Sequence, residues 1–102
     1  MSLKKHELFI NGQWVKPESG AYVTITNPAN GVDVAAAAKG SEQDVDRAVA
    51  AARKAFGPWS AKTASARADY LYALERAVVR EREKLATTIT SEMGKPITEA
   101  RM

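Results

Sequence analysis

The dipeptide Asn11-Gly12 sets the tightest local constraint on this chain. It lies between Leu8-Phe9-Ile10 and Gln13-Trp14-Val15, two short runs rich in aromatic and branched side chains. Asn and Gly tolerate the positive φ angles of a type I′ turn, whose twist matches that of two antiparallel strands. A tight hairpin is therefore expected over residues 8–15, ended by Pro17 and Gly20. Tyr22-Val23-Thr24-Ile25-Thr26 follows with the β-branched and aromatic make-up of a strand. Asn27-Pro28 stops it, because proline has no amide donor and restricts the residue before it. Asn30-Gly31 offers a second turn, and Val32 to Ala37 is expected to return as a weaker strand before Gly40.

Beyond Gly40 the pattern becomes helical. The Ser41 hydroxyl can cap the first free amides of a helix, and Glu42 and Asp44 suit its first turn. Val45, Ala48, Val49, Ala52 and Phe56 then fall on one helical stripe. Gly57-Pro58 is expected to stop this helix, with Trp59 anchoring the corner. Thr63 or Ser65 opens a second helix with Leu71, Leu74 and Val78 inward. The stripe continues through Leu85, Ile89 and Met93 after a break near Arg82. Gly94-Lys95-Pro96 ends that run, and Ile97 onward reads as a new helix cut off at Met102. So short a segment cannot nucleate a helix by itself, so the chain reads as interrupted. The fold class expected is α+β: N-terminal antiparallel hairpin strands followed by two or three helices.

Composition limits the chemistry. Of 102 residues 45% are hydrophobic, but many are alanines, with only 2 Trp, 3 Tyr and 2 Phe, so any core is thin. The absence of Cys excludes disulfides, thiolate metal sites and a cysteine nucleophile from these residues. No apolar run approaches the ~18 residues of a membrane span, and no charged stretch followed by an apolar one marks a secretory signal, so the cytoplasm is the expected compartment. Residues 1–7, from Met1-Ser2-Leu3 through Lys4-Lys5, read as a flexible lead-in or an added leader. His6, the one histidine, reads as a mobile surface residue.

The net charge of +3 raises nucleic acid as a partner. In the densest stretch, Arg80-Glu81-Arg82-Glu83-Lys84, acids interleave with bases. At helical spacing Arg80 meets Glu83 and Glu81 meets Lys84, which describes a solvated, self-paired face rather than a phosphate track. Gly94-Lys95 lacks the glycine-rich loop and preceding strand of a phosphate cradle, and no G-x-G-x-x-G occurs. Glu92, just before the Gly94 helix end, reads plainly as a solvent-facing carboxylate. The residues alone describe a soluble α+β piece without a complete active site.

An ordered set of motifs goes further. Leu8-Phe9-Ile10-Asn11-Gly12-Gln13-Trp14-Val15 resembles the opening strand pair of the NAD(P)-dependent aldehyde dehydrogenase superfamily. Asn27-Pro28-Ala29-Asn30-Gly31 is similar to that family's Asn-Pro-Ala-x-Gly turn, and Glu42 to Phe56 to its first helix. Trp59, the Arg67, Leu71 and Leu74 helix, and Glu92-x-Gly94-Lys95-Pro96 follow in order, with Ile97-Thr98-Glu99-Ala100-Arg101 in register. The ending resembles most the succinate-semialdehyde group.

The resemblance implies that residues 8–102 are the truncated N-terminal portion of a cofactor-binding domain. The parent activity would be oxidation of an aldehyde, such as succinate semialdehyde, to its acid, using NAD or NADP. Catalytic and cofactor-binding residues would all lie in later segments, so none is assigned here and no cofactor is expected on this chain alone. The stripes at Val45, Val49, Phe56, Leu71, Leu74, Val78, Leu85 and Ile89 would then pack against the remainder of the parent enzyme, and the isolated chain would self-associate. Some members of the family hold a structural cation at positions matching the Ile25 backbone carbonyl and Glu92. Oxygen donors of this kind suit Na⁺, Mg²⁺ or Ca²⁺. The competing reading is an independent small basic domain that binds a protein or nucleic acid.

Overall fold

The computed structural model describes residues 3–102. Met1 and Ser2, the first part of the expected lead-in, lie outside the described residues. Five strands precede four helices: β1 (Lys5–His6), β2 (Leu8–Ile10), β3 (Gln13–Val15), β4 (Tyr22–Thr26), β5 (Asp33–Ala38), α1 (Glu42–Ala61), α2 (Ala64–Arg80), α3 (Arg82–Met93) and α4 (Ile97–Ala100).

The first turn takes the conformation its residues demand. Asn11 has φ 54° and Gly12 φ 76°, both left-handed, as a type I′ turn requires. Leu8 pairs with Val15, Phe9 with Trp14 and Ile10 with Gln13. Alternation along the strands sends Phe9 and Trp14 to one face, where their rings meet edge-on at 4.9 Å. The opposite face carries half-buried Leu8, Ile10 and Val15 and turns toward α1.

A second sheet has the order β1-β5-β4. β4 runs antiparallel to β5 from Tyr22 against Ala38 to Ile25 against Ala35, then jumps to Thr26 against Asp33. Val34 is thus an extra residue, a β-bulge that breaks the ladder beside the Ile25 peptide. Lys5 and His6 pair in parallel with Ala36 and Ala37, so these two lead-in residues are strand rather than loose chain. A two-residue strand carries no recognisable pattern; it forms because the open edge of β5 offers unpaired backbone groups. Among the described residues the buried apolar side chains are small, Ala35, Ala36 and Ala86 together with Pro17.

Ser41 caps α1 as expected, its Oγ accepting from the Asp44 amide at 3.3 Å. The helix does not stop at Gly57-Pro58 but runs on to Ala61 with Pro58 inside it. Proline has no N–H, so Pro58 leaves the Lys54 carbonyl without its usual helical donor. The final turn is held instead by the Lys62 amide donating to the Trp59 carbonyl, and by Trp59 packing edge-on to Tyr70 at 5.5 Å. Thr63 then caps α2, accepting from the Ala66 amide at 3.1 Å.

The break between α2 and α3 falls at Glu81, whose φ of −97° and ψ of 13° leave the helical region. It also undoes an expected ion pair. Arg80 and Glu83 stand on different helices, and Glu83 is bound instead by Arg101, whose Nε donates at 2.8 Å and Nη2 at 3.2 Å. With Arg82 Nε donating to the Arg101 carbonyl at 2.7 Å, this pair folds α4 back on α3.

The chain is far from globular. Its radius of gyration is 17.0 Å, against about 13 Å for a compact chain of this length. Its accessible surface is 8089 Å², against about 5,600 Å² for a compact protein of 11.0 kDa. The stripe residues account for much of the excess: Val45, Val49, Phe56, Leu71, Leu74, Val78, Leu85 and Ile89 are all exposed, Phe56 to 70%. They share faces as their spacing requires, but those faces point outward rather than into a core.

Candidate functional site

Two constellations position polar groups across elements. The first is built on Asp44. Residue 44 is the third position of α1, where a carboxylate can reach back to the capping residue's amide. Its Oδ2 accepts from the Ser41 amide at 2.9 Å and from the Ser41 hydroxyl at 3.1 Å. The same carboxylate accepts from the amide of Glu18, 26 residues away, at 3.2 Å, and is paired with Arg47. Asp44 is only 2% exposed and is the one buried charged residue among those described. The Ser41 amide, acting against desolvation and aided by Arg47 and the Glu18 amide, lowers its carboxyl from the ordinary 3.8 to about 2.

Sequence reading placed Asp44 in the first turn but missed this wider role. The Ser-x-x-Asp spacing is the available signal, being a capping-box pattern. Nothing local announces the contact with Glu18.

The second constellation lies where the end of α3 meets the end of β4. The Asn27–Val32 turn is tightly bonded: the Asn27 amide donates to the Val32 carbonyl at 2.8 Å, and the Gly31 amide to the Asn27 carbonyl at 2.8 Å. Asn27 Oδ1 accepts from the Ala29 amide and Asn30 Oδ1 from the Val32 amide, both at 2.9 Å. Pro28, held in this turn, abuts Gly94, the left-handed residue that ends α3.

Ile25 is half-buried beside the Val34 bulge, three residues before Pro28, and Glu92 is exposed, two residues before Gly94. The contact that is defined at this corner is between Pro28 and Gly94. Thr90, one helical turn before Gly94, has a buried hydroxyl oxygen with no hydrogen-bond partner among the described residues. The sequence singled out neither Thr90 nor its burial. Among the described residues no three His, Asp or Glu side chains group into a metal cage.

The residues present do not form a dinucleotide cradle. Such a cradle needs a strand, a glycine-rich turn and a helix whose free amides face the phosphates. The connection from β5 to α1 is Lys39-Gly40-Ser41, and the Asp44 carboxylate and Ser41 hydroxyl already occupy the helix start. A negative charge at that point opposes a phosphate. His6 is exposed on β1, and without a Cys no thiolate can act as nucleophile. Among the described residues no helix is long and apolar enough to cross a membrane.

These features agree with what the chain resembles. A family model described as "Aldehyde dehydrogenase family" matches residues 14–102. The chain belongs to the aldehyde dehydrogenase family. It is 41% identical over 99 residues to 3-sulfolactaldehyde dehydrogenase of Pseudomonas putida, a match covering 97% of this chain and 20% of the relative. It is 40% identical over 94 residues to alpha-ketoglutaric semialdehyde dehydrogenase of Bacillus subtilis, covering 91% of this chain and 19% of the relative.

The NAD-dependent aldehyde dehydrogenase structure from Sinorhizobium meliloti superposes with a TM-score of 0.92 at 32% identity, over 98% of this chain and 20% of that one. Aldehyde dehydrogenase C from Pseudomonas syringae, solved with NAD⁺ and octanal, gives 0.90 at 41% identity, over 94% and 20%. The chain thus spans about a fifth of the length of the relatives it matches. Its strands and then helices are the N-terminal part of the aldehyde dehydrogenase fold.

Proposed function

We propose that this chain is the N-terminal structural portion of an NAD(P)-dependent aldehyde dehydrogenase, residues 8–102 belonging to its cofactor-binding domain. The parent would be a cytoplasmic oxidoreductase converting an aldehyde to its acid. Relatives named for semialdehydes and for sulfolactaldehyde support a substrate carrying a second acidic group, succinate semialdehyde among them. The chain supplies no reacting atom. Its part is positioning: the hairpin, α1 and α2 form a wall against which the cofactor-bearing remainder packs.

The observation that carries this reading is the outward display of the eight stripe residues from Val45 to Ile89, in a chain spanning a fifth of its relatives' length. Large apolar side chains exposed in such number point to an interface. The remainder of the parent enzyme is the partner it fits. A small basic binding domain has only the net charge of +3 in its favour.

Mixing tests this. The purified chain, added to an aldehyde dehydrogenase lacking its matching first fifth, is expected to bind it and restore aldehyde-dependent NAD(P)H formation. The chain alone is expected to give none. Turnover by the chain alone, or no association with the complementary portion, would sink the proposal.

We further propose that the corner between Ile25 and Glu92 contributes two oxygen donors to a structural cation in that parent. The contact of Pro28 with Gly94, three residues after Ile25 and two after Glu92 respectively, supports this, and the pair alone is too small a ligand set to hold the ion tightly. Titrating Na⁺, Mg²⁺ and Ca²⁺ into the reassembled protein should raise its melting temperature, and Glu92→Gln should abolish the rise. A rise that survives Glu92→Gln would remove Glu92 from the site.

A further inference from the structure

The chain contains two Asn-Gly pairs, Asn11-Gly12 and Asn30-Gly31, and all four residues are exposed. Asn-Gly is chemically labile because glycine, having no side chain, lets its own amide nitrogen approach the preceding asparagine side chain. Attack requires two things. The glycine N–H must be free to lose its proton, and the asparagine amide must be free to swing toward that nitrogen.

Hydrogen bonding treats the two pairs differently. At the second, the Gly31 amide donates to the Asn27 carbonyl at 2.8 Å, and Asn30 Oδ1 accepts from the Val32 amide at 2.9 Å. Nucleophile and electrophile are thus each held in place. At the first, neither the Gly12 amide nor the Asn11 side chain makes a hydrogen bond among the described residues. A β-carbon placed on Gly12 would meet nothing within 4 Å, so the turn is open to water on that side.

We infer that Asn11 is a deamidation site of the folded chain and that Asn30 is protected from the same reaction. Hydroxide removes the Gly12 amide proton, and that nitrogen attacks Cγ of Asn11. The Cγ–Nδ2 bond breaks, ammonia leaves with a proton from water, and a five-membered succinimide joins residues 11 and 12. Water then opens the ring at one carbonyl or the other, giving aspartate or isoaspartate. The net change is one water consumed and one ammonia released, with no oxidation or reduction.

The product acts on the fold. Either acid adds a negative charge to the hairpin tip. Isoaspartate also inserts a methylene into the backbone at a turn whose two central residues must both keep positive φ. The pairing of Phe9 with Trp14 and Leu8 with Val15 depends on that turn for its register.

The test is incubation of the 102-residue chain at mildly alkaline pH, in buffer at a temperature below the onset of its melt as followed by circular dichroism, and unfolded in urea. Cleavage after Glu7 and Glu18 places the two asparagines on separate peptides, and mass spectrometry then follows succinimide, aspartate and isoaspartate at each. In urea the two sites should react at similar rates. In buffer Asn11 should react roughly tenfold faster than Asn30, the scale on which one or two neutral hydrogen bonds act. Equal rates in buffer, a faster Asn30, or an Asn11 that stays intact while the urea sample reacts would each overturn the inference.

Discussion

Gly94 and Pro28 touch across the corner that joins the two halves of the chain: a β-carbon on Gly94 would stand 3.1 Å from Pro28 Cγ. Gly94 also holds φ 78°, and its amide donates to the Thr90 carbonyl at 2.9 Å to close α3. Space and backbone conformation both demand glycine here. Gly94→Ala should lower stability by about 1–2 kcal/mol, the usual cost of a left-handed non-glycine residue, with the Pro28 contact adding to it. Denaturant titration of the two chains checks this. An unchanged midpoint would mean that the corner yields freely.

Asp44 makes stability depend on acid. Its carboxyl lies at about 2 in the folded chain, below the ordinary 3.8 of an unfolded one. Between those values the unfolded state binds more protons, so stability rises with pH. The contribution is complete above about pH 4–5 and is lost as pH falls through 3.8 toward 2. Asp44→Asn should flatten this part of the curve of melting temperature against pH. Ser41→Ala, removing the capping hydroxyl, should cost about 1 kcal/mol at neutral pH. An acid limb equally steep in Asp44→Asn would assign it to other carboxylates.

The exposed stripes should make the isolated chain associate. Phe56, Leu71, Leu74 and Val78 are each about half exposed or more, and apolar surface of this extent is rarely left in water. Sedimentation should find mass rising with concentration, together with a broad, low-temperature melt. A single compact monomer with a sharp, high melt would contradict this.

Thr90 offers a test in the stabilising direction. Its buried hydroxyl oxygen has no partner among the described residues, and such a group costs about 1–3 kcal/mol of desolvation when unsatisfied. Thr90→Val keeps the shape and removes the polar atom, so stability should hold or rise by about 1 kcal/mol. A clear loss would show that the hydroxyl is bonded in solution.

The parts of this fold that were legible beforehand are those governed by neighbours in sequence. Asn11-Gly12 determined its own turn because only residues tolerant of positive φ can sit there. Ser41 and Thr63 determined two helix starts because a hydroxyl placed before free amides will bond them. The order of the family motifs was legible for the same reason, each being a short local pattern.

Tertiary structure decided the rest. Lys5–His6 became strand only because the edge of β5 was within reach, and α1 passed Pro58 because Trp59 found Tyr70. Asp44 became a junction because the fold carried Glu18 to it, and Glu83 paired with Arg101 once the break at Glu81 had taken it out of line with Arg80. Helical spacing put Leu71, Leu74 and Val78 on one face, but what a face packs against depends on which surfaces are within reach. Among the described residues none covers this one, and Leu71, Leu74 and Val78 stay exposed.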